Sequence, residues 1–321
     1  MGKSKIKNWA INIDKLKVCF NITDEIYTYF AEHYTKIERK NDNTQLRFLE
    51  EDDFFLVFFD EEETKMSATL NIRQKDGSGN NFKLGTFIFN NGKKYKNLAF
   101  FTFENEVLYR IFSKDYHGEP HGYIHCLTYV AEHYGMTFNN ITTLELAFDS
   151  DFNFVKKIRK MIKDVVNYDL YLNGKRVDDN EEILDGYGEY YSRNRMKLQL
   201  PTLYFAQAKA TDMQMRVYDK TTELKESTPY KEETYKQWLN WENETNIYRV
   251  EIVFHNTNIR DFFNRYAERM SEEMGGHDNV LNLLNMSDFR MMMFVDASDR
   301  LIYFKDKKTQ EKISLLEIAG K

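Results

Sequence analysis

Cysteine is nearly absent from this chain: its 321 residues hold two, Cys19 and Cys126. Two thiols are too few for a disulfide framework or a four-ligand zinc ribbon. Proline is equally scarce, with three residues, and the hydrophobic and aromatic content is that of a globular protein, so no long disordered linker is expected. No run is long and apolar enough to span a bilayer, and the lysine-rich start, Lys3, Lys5 and Lys7, has no apolar segment of a signal peptide behind it. A reducing, cytoplasmic setting with no membrane partner is the expectation. Positive charge is not in excess either. The net charge of −6 argues against broad polyanion binding, although charge can be segregated. Two basic runs exist: Lys3, Lys5, Lys7, Lys15 and Lys17 against Asp14, and Lys156, Lys157, Arg159, Lys160 and Lys163. Taken alone, each reads as a solvated face.

The length suffices for one large or two medium domains. Periodicity predicts a helix over 22–40 capped by Asp24, then strands at 45–50, 53–59, 67–73, 83–90 and 98–111, with turn signals at Asp76-Gly77-Ser78-Gly79 and Asn90-Asn91-Gly92. A helix is expected from just after Pro120 to His133, stopped by Gly135. Strand 142–149 and a basic helix at 152–166 follow, then an irregular stretch at 173–189 and strands at 195–206, 213–220 and 247–255. Helix 257–271 and a methionine-rich helical segment within 278–295 close the series. Tyr29-Phe30-Ala31-Glu32-His33-Tyr34 is echoed by Tyr129-Val130-Ala131-Glu132-His133-Tyr134; a duplicated unit or coincidence on two amphipathic helices would both produce this. The pattern favours an α+β fold: a curved, mainly antiparallel sheet with flanking helices, its charged face the functional one, and a helical C-terminal tail. The expected division is an N-terminal α+β region at 1–94, a central functional region at 95–272 and the tail at 273–321.

Three of these strands carry charge where ordinary core would be apolar. Side chains alternate along a strand. Leu144-Glu145-Leu146-Ala147-Phe148-Asp149 therefore sends Leu144, Leu146 and Phe148 to one face and Glu145 and Asp149 to the other. Met215-Arg216-Val217-Tyr218-Asp219-Lys220 groups Arg216, Tyr218 and Lys220, and Tyr248-Arg249-Val250-Glu251-Ile252 pairs Arg249 with Glu251. If the three strands are neighbours, carboxylates, cations and a phenol share one surface. Oxygen donors from Glu145, Asp149 and Glu251 would suit Mg2+ or Mn2+ rather than zinc. Such an ion could polarise a phosphodiester, and Arg216 and Lys220 could ease ionisation of Tyr218, whose ordinary pKa is about 10. A solvent-facing sheet surface decorated with ion pairs fits the same alternation.

Asn140 through Asp149, Met215 through Glu223 and Tyr248 through Ile252 together resemble motifs of the Rep_trans replication initiation factors of rolling-circle plasmids, which are related to phage initiators and to relaxases of some conjugative elements. The motifs stand in the family's order, and the resemblance spans about residues 95 to 265. It implies site-specific nicking and rejoining of single-stranded or hairpin origin DNA through a 5′-phosphotyrosine. Tyr218 would be the nucleophile, Glu145, Asp149 and Glu251 the metal ligands, and Arg216, Lys220 and Arg249 the groups that hold phosphate oxygens or the departing charge. The implied partners are origin DNA, a helicase of the host or element, and a second copy of the chain. Nicking for conjugative mobilisation, or a non-catalytic DNA-binding or assembly role, are the alternatives. The chain departs from the family at Thr143, usually arginine, at Ala206, usually glycine, and at Glu145, usually aspartate. The longer glutamate displaces a bound ion by roughly 1.5 Å, one bond length.

Other residues compete for these roles. Tyr187, Tyr190 and Tyr191 lie in a glycine-rich segment and, with Tyr204, Arg193 and Lys209, are candidate DNA contacts. His117, His121 and His125 share four-residue spacing, but Gly118 and Pro120 interrupt any common helix. No His-hydrophobic-His triplet occurs, consistent with a carboxylate-only site. Trp238 and Trp241 are expected to pack down the segment before the Glu251 strand, and Met291, Met292 and Met293 to fill a core or dimer contact.

Overall fold

A computed structural model describes residues 6–32, 35–37, 46–51, 55–62, 65–73, 81–90, 97–112, 122–177, 202–205, 213–227, 231–242, 245–273, 280–284 and 286–320. In chain order the elements are β1 (Trp9–Asn21), α1 (Asp24–Glu32), β2 (Thr35–Ile37), β3 (Leu46–Glu51), β4 (Phe55–Glu62), β5 (Lys65–Arg73), β6 (Asn81–Asn90) and β7 (Leu98–Phe103). Next come α2 (Asn105–Phe112), α3 (Gly122–His133), β8 (Thr137–Ser150), α4 (Phe154–Lys163), β9 (Tyr168–Leu172), β10 (Lys175–Arg176), β11 (Leu203–Phe205) and β12 (Gln214–Asp219). The chain continues through α5 (Lys220–Ser227), α6 (Lys231–Leu239), β13 (Tyr248–His255), α7 (Asn256–Glu273), α8 (Val280–Leu283), α9 (Ser287–Leu301), β14 (Ile302–Asp306), β15 (Lys312–Ile313) and a 3-10 turn at Glu317–Gly320. The fold is α+β with a mainly antiparallel open sheet. Among the described residues no helix is long and apolar enough to cross a membrane.

The chain divides into two compact units, one holding the residues up to Asp14 and from Glu145 onward, the other most of the chain between them. In the first unit the strand order is β11-β12-β13-β8-β1. The antiparallel β12/β13 ladder sets Met215 opposite Ile252, Arg216 opposite Glu251, Val217 opposite Val250 and Tyr218 opposite Arg249. Directly opposed residues point to the same side. Met215, Val217, Val250 and Ile252 are accordingly buried together, which commits Arg216, Tyr218, Arg249 and Glu251 to the other side. A one-residue slip would drive that charge into the core, so burial fixes the register. Phe148 stacks on Phe294 of α9 at 5.2 Å, and Met293, Phe294 and Ala297 bury the rest of that helix face. Helix α4 starts at Asn153, whose side chain accepts the Lys156 N–H at 2.8 Å. Its Phe154, Val155, Ile158 and Met161 are buried, and it packs on β12 and β13. A smaller antiparallel sheet, β10-β9-β14-β15, belongs to this unit as well.

The second unit carries the order β8-β1-β7-β6-β5-β4-β3-β2. Its described core is aromatic: Phe87 lies 4.6 Å from Phe101, and Phe101 lies 4.9 Å from Phe103 edge to face. Gly85 of β6 makes that approach feasible. A Cβ there would meet the Thr102 carbonyl oxygen and the Phe101 ring. Gly85→Ala should therefore cost about 1–3 kcal/mol through overpacking, read as a lower urea midpoint; an unchanged midpoint would show that the ring can move aside.

Helix α3 ends as its sequence predicts. Gly135 adopts φ +70°, Met136 N–H reaches the Ala131 carbonyl at 2.7 Å and Gly135 N–H the Glu132 carbonyl at 2.9 Å, a Schellman closure that favours glycine. Other expectations are corrected. Helix 22–40 is shorter, ending at Glu32, because Thr35–Ile37 pairs with β3. Its cap is Thr23, whose Oγ1 accepts the Ile26 N–H at 3.3 Å, not Asp24. The strand predicted at 98–111 stops at Phe103. Val107, Leu108 and Tyr109 are buried consecutively, which one strand face cannot achieve and α2 can. Residues 173–176, expected to be irregular, form a tight hairpin in which Asn173 at φ 52° and Gly174 at φ 75° supply the two left-handed positions of a type I′ turn. The C-terminal segment also carries β14 and β15 besides its helices.

Candidate active site

Three neighbouring strands of the first unit, β13, β8 and β1, each present one carboxylate to a common point. Asp14, Glu145 and Glu251 offer oxygens that all lie within 4.8 Å of one another. Strand spacing of roughly 4.8 Å leaves the backbones carrying Asp14 and Glu251 about 10 Å apart with β8 between them, so their side chains must lean toward Glu145 to bring the oxygens together. Glu251 is buried, and Asp14 and Glu145 are partly exposed. Arg216 Nη2 pairs with Glu251 Oε1 and lies 3.5 Å from Glu145 Oε2. The Tyr218 hydroxyl donates to the other Glu251 oxygen, Oε2, at 3.1 Å. Glu251 thus joins the phenol to the acidic trio.

Beside the trio lies a second, buried cluster. Arg249 and Asp149 are both fully inaccessible. Arg249 Nε donates to Asp149 Oδ1 at 2.8 Å and Nη2 to Oδ2 at 2.9 Å, a bidentate pair. Its Nη1 reaches Asp14 Oδ1 at 2.6 Å. The Tyr235 hydroxyl, brought in by α6, donates to Asp149 Oδ2 at 2.7 Å and accepts from Arg249 Nη2. Arg249 therefore fixes Asp14 from behind, while its remaining donors satisfy Asp149.

Asp149, expected as a ligand, stands in this ion pair, and Asp14 stands in the trio. Strand geometry explains the exchange. Glu145 and Asp149 share a face of β8 but are four residues apart, about 13 Å along a strand, so one ion cannot bridge them. Asp14 was legible only as one acid in a lysine-rich run; the alternation Ile11-Asn12-Ile13-Asp14, with Ile11 and Ile13 buried, is the signal that marks it as a strand residue. Tyr235 carries no local signal, since its role depends on where α6 lands.

Electrostatics at the phenol run against the simplest expectation. Burial pushes Tyr218 above its ordinary range; the Arg249 guanidinium pulls it down, and Glu223, Asp14 and Asp149 add to the rise. Arg216 is paired with Glu251, and Lys220 with Glu223. The Lys220 ammonium is itself lowered, by burial first and by Arg249 second; its Nζ sits 5.8 Å from the ring centres of both Tyr218 and Tyr235. The neighbouring charges alone leave the phenol protonated at neutral pH. The trio's donor set, three carboxylates at short mutual distance, fits a hard divalent cation such as Mg2+ or Mn2+.

Tyr204 of β11 is paired opposite Arg216 and is partly exposed. Tyr187, Tyr190, Tyr191, Arg193, Ala206, Lys209, His117 and His121 lie outside the described residues, and His125 falls in α3 without a described side chain. Trp238 packs edge to face on Tyr235 at 6.0 Å, and Met293 belongs to the core.

No protein-family model matches the chain, and no curated protein matches it. A solved structure described as a rolling circle replication initiator protein from Geobacillus stearothermophilus is similar over 95% of this chain and 89% of its own, at 13% sequence identity and a TM-score of 0.42.

Proposed function

We propose that this cluster is the active site of a metal-dependent enzyme that nicks and rejoins single-stranded origin DNA to start rolling-circle replication of a plasmid, phage or mobile element. One observation carries it: the Tyr218 hydroxyl donates to Glu251 at 3.1 Å, and Glu251 is a member of the acidic trio. The motif resemblance around Glu145, Tyr218 and Glu251 supports the same reading.

In this mechanism Asp14, Glu145 and Glu251 hold Mg2+ or Mn2+, with Arg249 positioning Asp14. When bound, the ion supplies Lewis acidity to the scissile phosphate and positive charge beside the phenol. Glu251 Oε2 takes the phenolic proton as Tyr218 Oη attacks phosphorus. The P–O3′ bond breaks as the Oη–P bond forms, the 3′-oxygen takes a proton from water and leaves as a hydroxyl, and a 5′-phosphotyrosine remains. Attack by a 3′-hydroxyl reverses these steps and rejoins the strand, so one phosphodiester is exchanged for another throughout. Arg216 lies on the solvent side of the trio, where it can exchange its carboxylate partners for a phosphate oxygen.

The assignment of Asp14 is directly testable. Asp14→Asn should raise the Mn2+ concentration needed for half-maximal cleavage about tenfold or more, with Mn2+ binding followed independently by electron paramagnetic resonance. Unchanged Mn2+ binding would remove Asp14 from the ligand set.

A second reading, a non-catalytic DNA-binding or assembly protein, draws on the pairing of Arg216 with Glu251 and of Arg249 with Asp14, which neutralises much of the trio without an ion. Incubation with single-stranded origin oligonucleotides and Mn2+ separates the two. A covalent adduct supports nicking; tight binding with no adduct supports the scaffold role.

A further inference from the structure

Helix α4 carries charge against the acidic balance of the chain. Lys156, Arg159, Lys160 and Lys163 recur at i, i+3, i+4 and i+7, which places them on one helical face. With Asn153, Val155 and Asp219 they line a groove of about 520 Å3. Lys156, Lys160 and Lys163 are exposed, and among the described residues no carboxylate pairs with any of the three. The single acid in the groove, Asp219, has its Oδ1 engaged by the Thr222 N–H at 3.1 Å at the start of α5. Lys156, Lys160 and Lys163 are like charges on one helical face that repel one another, and an anionic ligand relieves that repulsion.

The groove and the nucleophile lie on opposite faces of the same strand, one residue apart. Asp219 directly follows Tyr218 in β12, and alternation sends the two side chains to opposite faces. A chain of phosphates lying in the groove would have to turn around the β12–α5 junction to offer a phosphate to Tyr218. Single strands can make that turn; duplex DNA, with a persistence length of about 50 nm, resists it. From Lys156 to Lys163 the helix rises about 10 Å, which matches about three phosphates at roughly 3.4 Å per nucleotide of a stacked strand. A concave groove also suits a strand better than a bilayer surface.

We infer that this groove holds the sugar-phosphate backbone of the single strand flanking the scissile phosphate. The inference rests on the nicking reading above, and it makes Lys156, Arg159, Lys160 and Lys163 strand-binding residues remote from the chemistry. The probes are labelled oligonucleotides of about 16 and about 4 nucleotides, the range of single-strand site sizes, the shorter one spanning only the nick. The variant is Lys156→Gln/Lys160→Gln/Lys163→Gln, with an unchanged melting curve as the check on folding, and affinity is followed by anisotropy across a NaCl titration. The triple variant should bind the long strand at least about tenfold more weakly, and its salt slope should fall by about two, from three lost cations at roughly 0.7 each. Affinity for the short strand and its cleavage should be unchanged.

An unchanged long-strand affinity and slope, with nicking by the native protein intact, would overturn the groove assignment and leave the nicking reading standing. A flattened slope with no nicking by the native protein would uphold the groove as a DNA track while the nicking reading falls. Loss of binding to phosphatidylserine vesicles with DNA affinity untouched would reassign the face to lipid and overturn the inference.

Discussion

Tyr218→Phe should reduce cleavage of a single-stranded origin oligonucleotide by about 10^4-fold or more, the scale on which removal of a covalent nucleophile acts. The ring stays, so its packing stays; only the oxygen that donates to Glu251 at 3.1 Å is removed. Affinity for the same oligonucleotide, measured by anisotropy, should remain within a few-fold of the native value, because the cations of α4 and Arg216 are untouched. Glu251, buried and one donor poorer, should cost the fold only about 1–3 kcal/mol. Residual cleavage within about tenfold of native would place the nucleophile elsewhere, with Tyr204, opposite Arg216 in the β11/β12 ladder, the first candidate to examine.

The second large effect concerns stability. Arg249→Met should destabilise the protein by about 3–5 kcal/mol, because it leaves Asp149 charged and fully buried with the Tyr235 hydroxyl as its remaining donor. The loss reads as a reduced urea midpoint with little change in slope. Combining it with Asp149→Leu should recover at least half of the loss, since removing both partners of a buried pair is far cheaper than removing one. A single variant that loses less than about 1 kcal/mol would mean that water reaches Asp149 and that the cluster is not the rigid support of Asp14 described above. Asp14 would then have to be positioned by the Glu145 and Glu251 side of the cluster alone.

How much of this was legible in the sequence depends on the range of the interaction concerned. Alternation in Met215–Lys220 and Tyr248–Ile252 placed Arg216, Tyr218, Arg249 and Glu251 on one face, and the β12/β13 register matches that grouping. Such short-range periodicity is strong when the opposite face is buried, as Met215, Val217, Val250 and Ile252 are. Gly135 as a helix stop was legible for a similar reason: its conformation is decided by its own backbone. Thr23 rather than Asp24 as the cap of α1 was not, because adjacent cap-competent residues differ only in where the helix begins. Tertiary partnership was harder still. Glu145 and Asp149 looked like one ligand pair because they share a strand face, yet their separation along β8 assigns them different partners, Arg216 for one and Arg249 for the other. Asp14 entered the site only because β1 lies next to β8 in the sheet, an adjacency of residues more than a hundred positions apart that no local pattern encodes. The basic run of α4, an ordinary solvated face in the sequence, gained meaning from the groove that it forms with Asp219.

The most direct measurement is peptide mapping by mass spectrometry after the native protein is incubated with single-stranded origin DNA and Mn2+, then digested with protease and nuclease. A 5′-phosphonucleotide is expected on the peptide containing Tyr218, absent when a chelator is present from the start. A nucleotide on any other tyrosine, or an adduct that forms equally well in the chelator, would contradict that expectation.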